Sequence, residues 1–298
     1  MLVHGILYKK YKEASMRKII LFFLFVFCTV PVFGEDFMNY INKAEKASNE
    51  FYPKLKSYIC DIKTSQFDIM MKKMTASMPP DIKRPEKPNL KKYWHYKKGM
   101  VVVLEGKNVF PYMQEFSKKM VSQFALELNG YFLPLDKKKE RDELLKKSNN
   151  SVEIKDNTVI LNINFDNPVY VDNLFYKQGL PLPVEHIKSI SFEIDKSLGL
   201  VQKIQIKENK GKEVVYELKA YYEKKDGHNL LSKLILTSSD GSINGEFITE
   251  FGSFKGYYLP VKQTRILKGK TISQEESEIT VEFSNYLLNK KIPAKVYK

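Results

Sequence analysis

The sequence predicts a mainly β (α+β) fold: an unclosed antiparallel β-barrel, made of one curved sheet, with helices as plug or lid over an apolar cavity. Three observations predict it. From residue 151 onward, apolar residues alternate with polar ones over most of the remaining chain. Turn residues interrupt this alternation at roughly 10-residue intervals. Ahead of it lie two segments whose apolar residues recur at helical spacing. A sheet with one apolar face must close on itself, pack on another sheet or take helices on that face. With two such helices in the chain, a sheet wrapped around helices is the economical answer.

Residues 16–34 form the first element. Met16-Arg17-Lys18 is followed by an apolar run from Ile19 to Phe27, then Cys28-Thr29-Val30-Pro31-Val32-Phe33-Gly34. A short basic region, an apolar core and small residues before Glu35 are the three parts of a secretory signal peptide. A membrane anchor fits less well, because the run is shorter than the ~20 residues that span a bilayer and Pro31 breaks it. Phe27 ahead of Cys28 argues against lipidation there. Met16 opens the signal more naturally than Met1, so residues 1–15 are expected to be an over-extended start. Residues 35–298 are expected to form a single domain, with a helical insert at about 113–147. Cleavage after Gly34 removes Lys9, Lys10, Lys12, Arg17 and Lys18 against Glu13, leaving 264 residues and lowering the formal charge from +14 to +10. It also leaves Cys60 alone of the 2 cysteines. A lone cysteine in an exported chain can be an intermolecular link or a reactive thiol. Flanking Ile59 and Ile62 favour a buried, inert one.

In the exported part, Phe37, Tyr40, Ile41, Ala44, Ala47, Phe51, Leu55 and Tyr58 predict an amphipathic helix over 36–58, with Pro53 able to kink or end it. A strand is expected over 59–72. Pro79, Pro80, Pro85 and Pro88 make the next stretch an extended loop. Strands over 93–97 and 100–104 flank a Lys98-Gly99 turn. Met113, Phe116, Met120 and Phe124 share one helical face. Residues 137–147 read as a polar surface helix or linker, with Leu144 and Leu145 nearly its only apolar residues. The strands after 151 carry the stripes Val159/Leu161/Ile163/Phe165, Ile190/Phe192/Ile194, Ile204/Ile206, Val214/Tyr216/Leu218/Ala220/Tyr222, Leu234/Leu236, Phe247/Thr249/Phe251 and Ile279/Val281/Phe283. Turns are expected at 196–199, 209–211, Asp226-Gly227, Asp240-Gly241 and Lys268-Gly269.

Catalytic chemistry is not signalled. His95, His186 and His228 are far apart and lack metal-ligand spacing. His95 reads as structural and His228 as solvent-facing in its turn. No nucleophile elbow, phosphate loop or dinucleotide fingerprint occurs. No catalytic residue, metal or cofactor is therefore expected, and the chain is not expected to be an enzyme. The positive charge after residue 34 is lysine except for Arg84, Arg141 and Arg265. Arginine is the residue of bidentate phosphate reading, so nucleic acid is not an expected partner. Weak attraction to anionic lipid or polymer stays open.

One stretch carries a resemblance. Lys87-Pro88-Asn89-Leu90-Lys91-Lys92-Tyr93-Trp94-His95-Tyr96, then Val101-Val102-Val103-Leu104-Glu105-Gly106-Lys107-Asn108-Val109-Phe110-Pro111-Tyr112, resembles the periplasmic outer-membrane lipoprotein carriers of the LolA/LolB type. The leading helix, the hairpin over 195–218 and the tail over 279–293 with Tyr286, Asn289 and Ile292-Pro293 follow the same order. The resemblance implies a divergent, monomeric carrier in the periplasm of a Gram-negative-type bacterium. Such a carrier holds the acyl chains of a lipidated protein, or another lipid, and meets membrane-bound transport components transiently. The cavity and lid would be lined by Trp94, Tyr96, Val102, Met113, Phe116, Met120, Phe192, Ile194, Ile204, Tyr216 and Leu218. Met113, Phe116 and Met120 also suit an ordinary core. The family's lid latch is the arginine of an Arg-Pro pair; here Arg84-Pro85 supplies the pair, whereas Lys87 precedes the better-aligned Pro88. A sensor module binding an envelope protein through the same fold is the alternative. An envelope enzyme using Cys60 or His95 is a third.

Overall fold

In the computed structural model, residues 35–49, 52, 54–76, 79, 89–96, 98–105, 131–177, 180–268 and 277–297 are described. Residues 1–34, which hold the expected signal peptide, most of the proline-rich stretch and residues 106–130 lie outside them. So do five candidate residues, Arg84, Lys87, Met113, Phe116 and Met120.

Alternating sequence has become one sheet. Its strands are β1 (Ser57–Thr64), β2 (Asn89–His95), β3 (Gly99–Glu105), β4 (Asn149–Lys155), β5 (Thr158–Val169), β6 (Ile187–Asp195), β7 (Val201–Asn209), β8 (Glu213–Lys225), β9 (His228–Ser238), β10 (Asn244–Phe254), β11 (Tyr257–Lys268) and β12 (Glu278–Leu288). They pair antiparallel in the order β3-β2-β1-β12-β11-β10-β9-β8-β7-β6-β5-β4. β3 and β4 are the two edges and do not pair with each other, so the sheet is open. Bulges in β1/β12, β10/β11, β5/β6, β6/β7 and β8/β9 interrupt the register; each such insertion bends its strand and increases the local twist.

Turn chemistry sets the hairpins. Asp226 and Gly227 both take positive φ, 46° and 82°, between β8 and β9. Lys255 and Gly256 do the same, at 51° and 82°, between β10 and β11. Paired positive φ values are the geometry whose twist matches flanking strands.

Register puts the apolar stripes in line. Leu161, Phe192, Ile204, Leu218 and Leu236 are direct neighbours across β5 to β9, and each is at most 1% exposed. Burial of such a side chain is worth about 1.5–3 kcal/mol. The row continues through Gly245 to Leu267. A Cβ on Gly245 would meet Leu267 Cδ2 at 2.5 Å, so the missing side chain makes room for that leucine.

Among the described residues three α-helices accompany the sheet: α1 (Glu35–Asn49), α2 (Ser65–Ala76) and α3 (Lys138–Leu145). Helix α1 inserts Phe37, Ile41 and Ala44 into the core over β4 to β10. The expected helix over 36–58 ends at Asn49 instead, where the Asn49 side-chain amide donates to the Glu45 and Leu133 carbonyls. Tyr58 belongs to β1 and packs on a second core with Leu55. The expected strand over 59–72 stops at Thr64. Phe67 and Met71, one helical turn apart on α2, are buried in that second core.

The polar segment over 137–147 is a second correction. Arg141 of α3 is fully buried. One of its terminal nitrogens donates to the carbonyls of Pro134 and Leu174, both at 2.9 Å, and the other donates to the Glu45 carboxylate. Lys138 reaches the same carboxylate at 3.1 Å. Three chain segments are thus tied to α1 through one guanidinium, and Leu145 beside it is buried as well. His228 also departs from expectation: it is half-buried, with its ring 4.9 Å from that of Tyr52. Strands β4 and β11 were not among the expected stripes.

Removing one member of a buried pair strands the other's charge. Arg141→Leu is expected to lower the unfolding free energy by about 3 kcal/mol in urea titration. Glu45→Leu combined with Arg141→Leu should cost less than the two single changes summed. Additive losses would show that the pair is not coupled.

Candidate apolar binding face

The inner face of the sheet carries two apolar clusters. One spans β5 to β11 under α1 and the loops around residues 131–133 and 171–182. The other lies over β1, β2, β11 and β12, with α2 on it. Helices α1 and α2, of 15 and 12 residues, are about 22 and 18 Å long and ~10 Å wide. Twelve strands spaced ~4.8 Å span about 50 Å. Among the described residues these two helices lie on parts of that face, and the apolar side chains of both clusters are almost all buried.

The candidate residues divide between the flanks. Phe192, Ile194, Ile204 and Leu218 sit in the first cluster at 0–1% exposure, with half-buried Tyr216 packed on it. Trp94 belongs to the second cluster and half-buried Val102 packs against it. Five strands of the sheet, β1, β12, β11, β10 and β9, separate β2 from β8. Tyr96 is 48% exposed, with the Lys56 ammonium 4.7 Å from its ring centre; it lines neither cluster.

The second cluster holds an unusual group of neighbours. Trp94 stacks on Tyr58 with ring centres 5.2 Å apart. Lys92 is 1% exposed, its ammonium 5.2 Å from the Phe283 ring centre and 5.7 Å from that of Tyr58. Aromatic faces attract a cation by their quadrupole, and the aliphatic stem of lysine packs as hydrocarbon. Cys60, opposite Lys92 in the register, is free and buried. Burial pushes its thiol up to about 12, against a smaller downward pull from Lys92. The buried position expected for Cys60 is the one it takes, and a raised thiol pKa disfavours the nucleophilic thiolate at neutral pH. Among the described residues no group of three or more His, Cys, Asp or Glu is placed to hold a metal ion. No described helix is long and apolar enough to cross a membrane.

A groove of about 1550 Å³ lies elsewhere, between the start of α1, α3 and the edge strand β4. Phe37, Met38, Leu135, Val152 and Ile154 contribute to its apolar wall, and Asp36, Lys138, Lys139, Asp142, Glu143 and Lys146 supply its charges. None of the sequence candidates lines it. Sequence reasoning also passed over Glu45, Lys92, Arg141, Gln263 and Thr64. A signal for Gln263 and Arg265 existed: they alternate with Lys262, Thr264 and Ile266 in a strand between apolar neighbours.

No family model and no curated protein matches the chain. Similar solved structures include a LolA superfamily protein from Nitrosomonas europaea, at 9% identity and TM-score 0.32 over 88% of this chain and 96% of that one. A putative outer membrane lipoprotein-sorting protein domain from Vibrio parahaemolyticus is similar at 7% identity and TM-score 0.32, over 86% and 94%. The MucA/MucB complex of Pseudomonas aeruginosa provides a third, at 8% identity and TM-score 0.22 over 88% and 96%. At this identity and overlap the likeness adds nothing to what the chain's own residues establish.

Cys60 gives a test of burial on this face. It should resist alkylation by iodoacetamide at pH 8 in the folded protein and react once the chain is denatured. The folded state keeps the thiol proton above the ordinary value of 9.0, where the unfolded chain releases it. Its contribution to stability is therefore complete below about pH 9 and lost as pH rises towards 12, by up to about 1.4 kcal/mol per pH unit. Cys60→Ala should flatten that part of the stability profile; an unchanged slope would remove the thiol as its source.

Proposed function

We propose that this chain is an exported, non-enzymatic carrier that shelters an acyl chain, free or attached to a lipidated protein, on the inner face of its sheet. The observation that supports it is the open antiparallel sheet with two extended apolar clusters on its inner face. Moving an alkyl chain from water to an apolar surface gains about 0.8 kcal/mol per methylene, which needs neither nucleophile nor metal. The resemblance of 87–112 to periplasmic lipoprotein carriers supports the same reading. The signal-like residues 16–34 support export to the periplasm of a Gram-negative-type bacterium.

On this reading, protein purified from the envelope of its host carries lipid that organic extraction and mass spectrometry detect. The stripped protein then raises the fluorescence of an environment-sensitive fatty-acyl probe, saturably and at micromolar concentration. A chain that is lipid-free from cells and leaves the probe unchanged contradicts the proposal.

The groove beside β4 favours a second reading, an interaction module for an envelope protein. An edge strand offers unpaired backbone groups, and Ile154 on it is 50% exposed. In-cell crosslinking from position 154 should then yield one discrete protein adduct. Crosslinks to lipid alone, or to many proteins without preference, count against it.

A further inference from the structure

One rim of the sheet carries lysine at each of its turns and strand ends. The antiparallel register brings to this rim the β2–β3, β4–β5, β6–β7, β8–β9 and β10–β11 turns, with the start of β1 and the end of β12. Lys54 and Lys56 lead into β1, and Lys290 and Lys291 follow β12; all four are exposed. Lys98 and Lys255 stand exposed in the β2–β3 and β10–β11 turns. Further along, Lys224 and Lys225 close β8, Lys196 opens the β6–β7 turn and Lys155 ends β4. Turns of neighbouring hairpins stand about 10 Å apart, so these cations form one continuous row.

Acids do not balance the row. Asp195 is spent on its own turn, accepting from the Ser197 and Leu198 N–H groups at 2.9 and 2.7 Å. Asp226 accepts from the Tyr258 hydroxyl. Asp156 is the third acid of these turns among the described residues. Lys155 and Lys225 meet Glu153 and Glu223 of their own strands, at 2.9 and 3.1 Å. The opposite rim is mixed: among the described residues Glu185, Glu213, Asp240 and Glu278 stand there beside Lys210, Lys212 and Lys268.

Exposed apolar side chains share the lysine rim. Leu198, at the tip of the β6–β7 turn, and Leu287, next to the last residue of β12, are each 52% exposed. Ile154 and Tyr96, where β4 and β2 end, are exposed as well. Lysines are drawn to anionic head groups within a Debye length of the surface, and leucine and tyrosine enter the interfacial layer. A fluid array of head groups asks for point charges and not for the fixed fork of arginine, and no arginine stands in these turns among the described residues. An acidic protein would match the lysines but would offer no hydrocarbon layer to apolar side chains spread along the whole rim.

We propose that this rim docks the protein on an anionic lipid bilayer, with Leu198 and Tyr96 entering the head-group layer. Docking there turns one end of the sheet's inner face towards the lipid. The rim is separate from the two apolar clusters, so this inference stands whether or not the inner face takes an acyl chain.

The test is co-flotation of the full exported chain with phosphatidylcholine liposomes containing about one-third phosphatidylglycerol, against phosphatidylcholine alone. The wild type should float with the anionic liposomes at low salt and stay behind with the neutral ones. It should leave the anionic liposomes at about 1 M salt, where the Debye length is about 3 Å. One lysine near such a surface is worth about fivefold in affinity. Lys56→Glu, Lys255→Glu and Lys290→Glu together should therefore lower affinity by at least about a hundredfold. Lys210→Glu, Lys212→Glu and Lys268→Glu make the same change of net charge on the opposite rim and should cost less than about tenfold. Leu198→Ser with Tyr96→Ser should weaken binding severalfold at unchanged charge. All six lysines are exposed, and circular dichroism checks that both triple variants fold. Equal losses from the two triple variants overturn the proposal, since they mark a non-directional attraction of a basic chain. Absence of flotation with any liposome also overturns it, and retention of polyglutamate by the same rim lysines would then assign the rim to an acidic polymer.

Discussion

A twelve-stranded sheet with one apolar face cannot stand in water uncovered, and the rest of the molecule answers that constraint. The row from Leu161 to Leu236 lines up five large side chains in successive strands. Such a surface holds the sheet in register, because a one-residue slip would turn the whole row outward. It also demands a cover. On one flank α1 supplies it, held through Glu45 and Arg141 to two loops that carry no regular structure of their own. On the other, α2 follows β1 without a break and lays Phe67 and Met71 on the strands it has just left.

Cations inside this fold are handled in three ways. Arg141 is matched by a carboxylate and two carbonyls, as a fully buried charge requires. Lys92 lies against the faces of Tyr58 and Phe283. Arg265 stands on β11 opposite Phe247 and Ile279, where the two apolar clusters meet. Arg141 fastens a cover.

The legible parts of the sequence were those where a single period ran undisturbed. Strands β5 to β8 were plain because Val159, Leu161, Ile190, Phe192, Ile204 and Leu218 alternate with polar residues. Strand β11 was hidden by the features that make it interesting, Gln263 and Arg265 on the inner face in place of apolar residues. Strand β4, an edge with exposed Glu153, Ile154 and Lys155, has no buried face to impose a pattern. The end of α1 was misjudged because Leu55 and Tyr58 continue its spacing by coincidence while serving β1 and the loop before it. In α3 the charge of Arg141 read as surface, since pairing with Glu45 across 96 positions leaves no local trace. Among candidate binding residues, Phe192, Ile204 and Leu218 were recognised as inward-facing. A lining residue and a core residue have the same chemistry, and sequence alone does not separate them.

The central claim is that an acyl chain is taken up on the inner face of the sheet. Photolabelling tests it most directly: a fatty acid with a diazirine along its chain is bound, irradiated, and the labelled peptides are sequenced. The account predicts labels on inner-face residues of the two apolar clusters, on β1 and β5 to β12. Labels confined to Leu135, Val152 and Ile154 around the outer groove, or scattered over exposed positions, would contradict it.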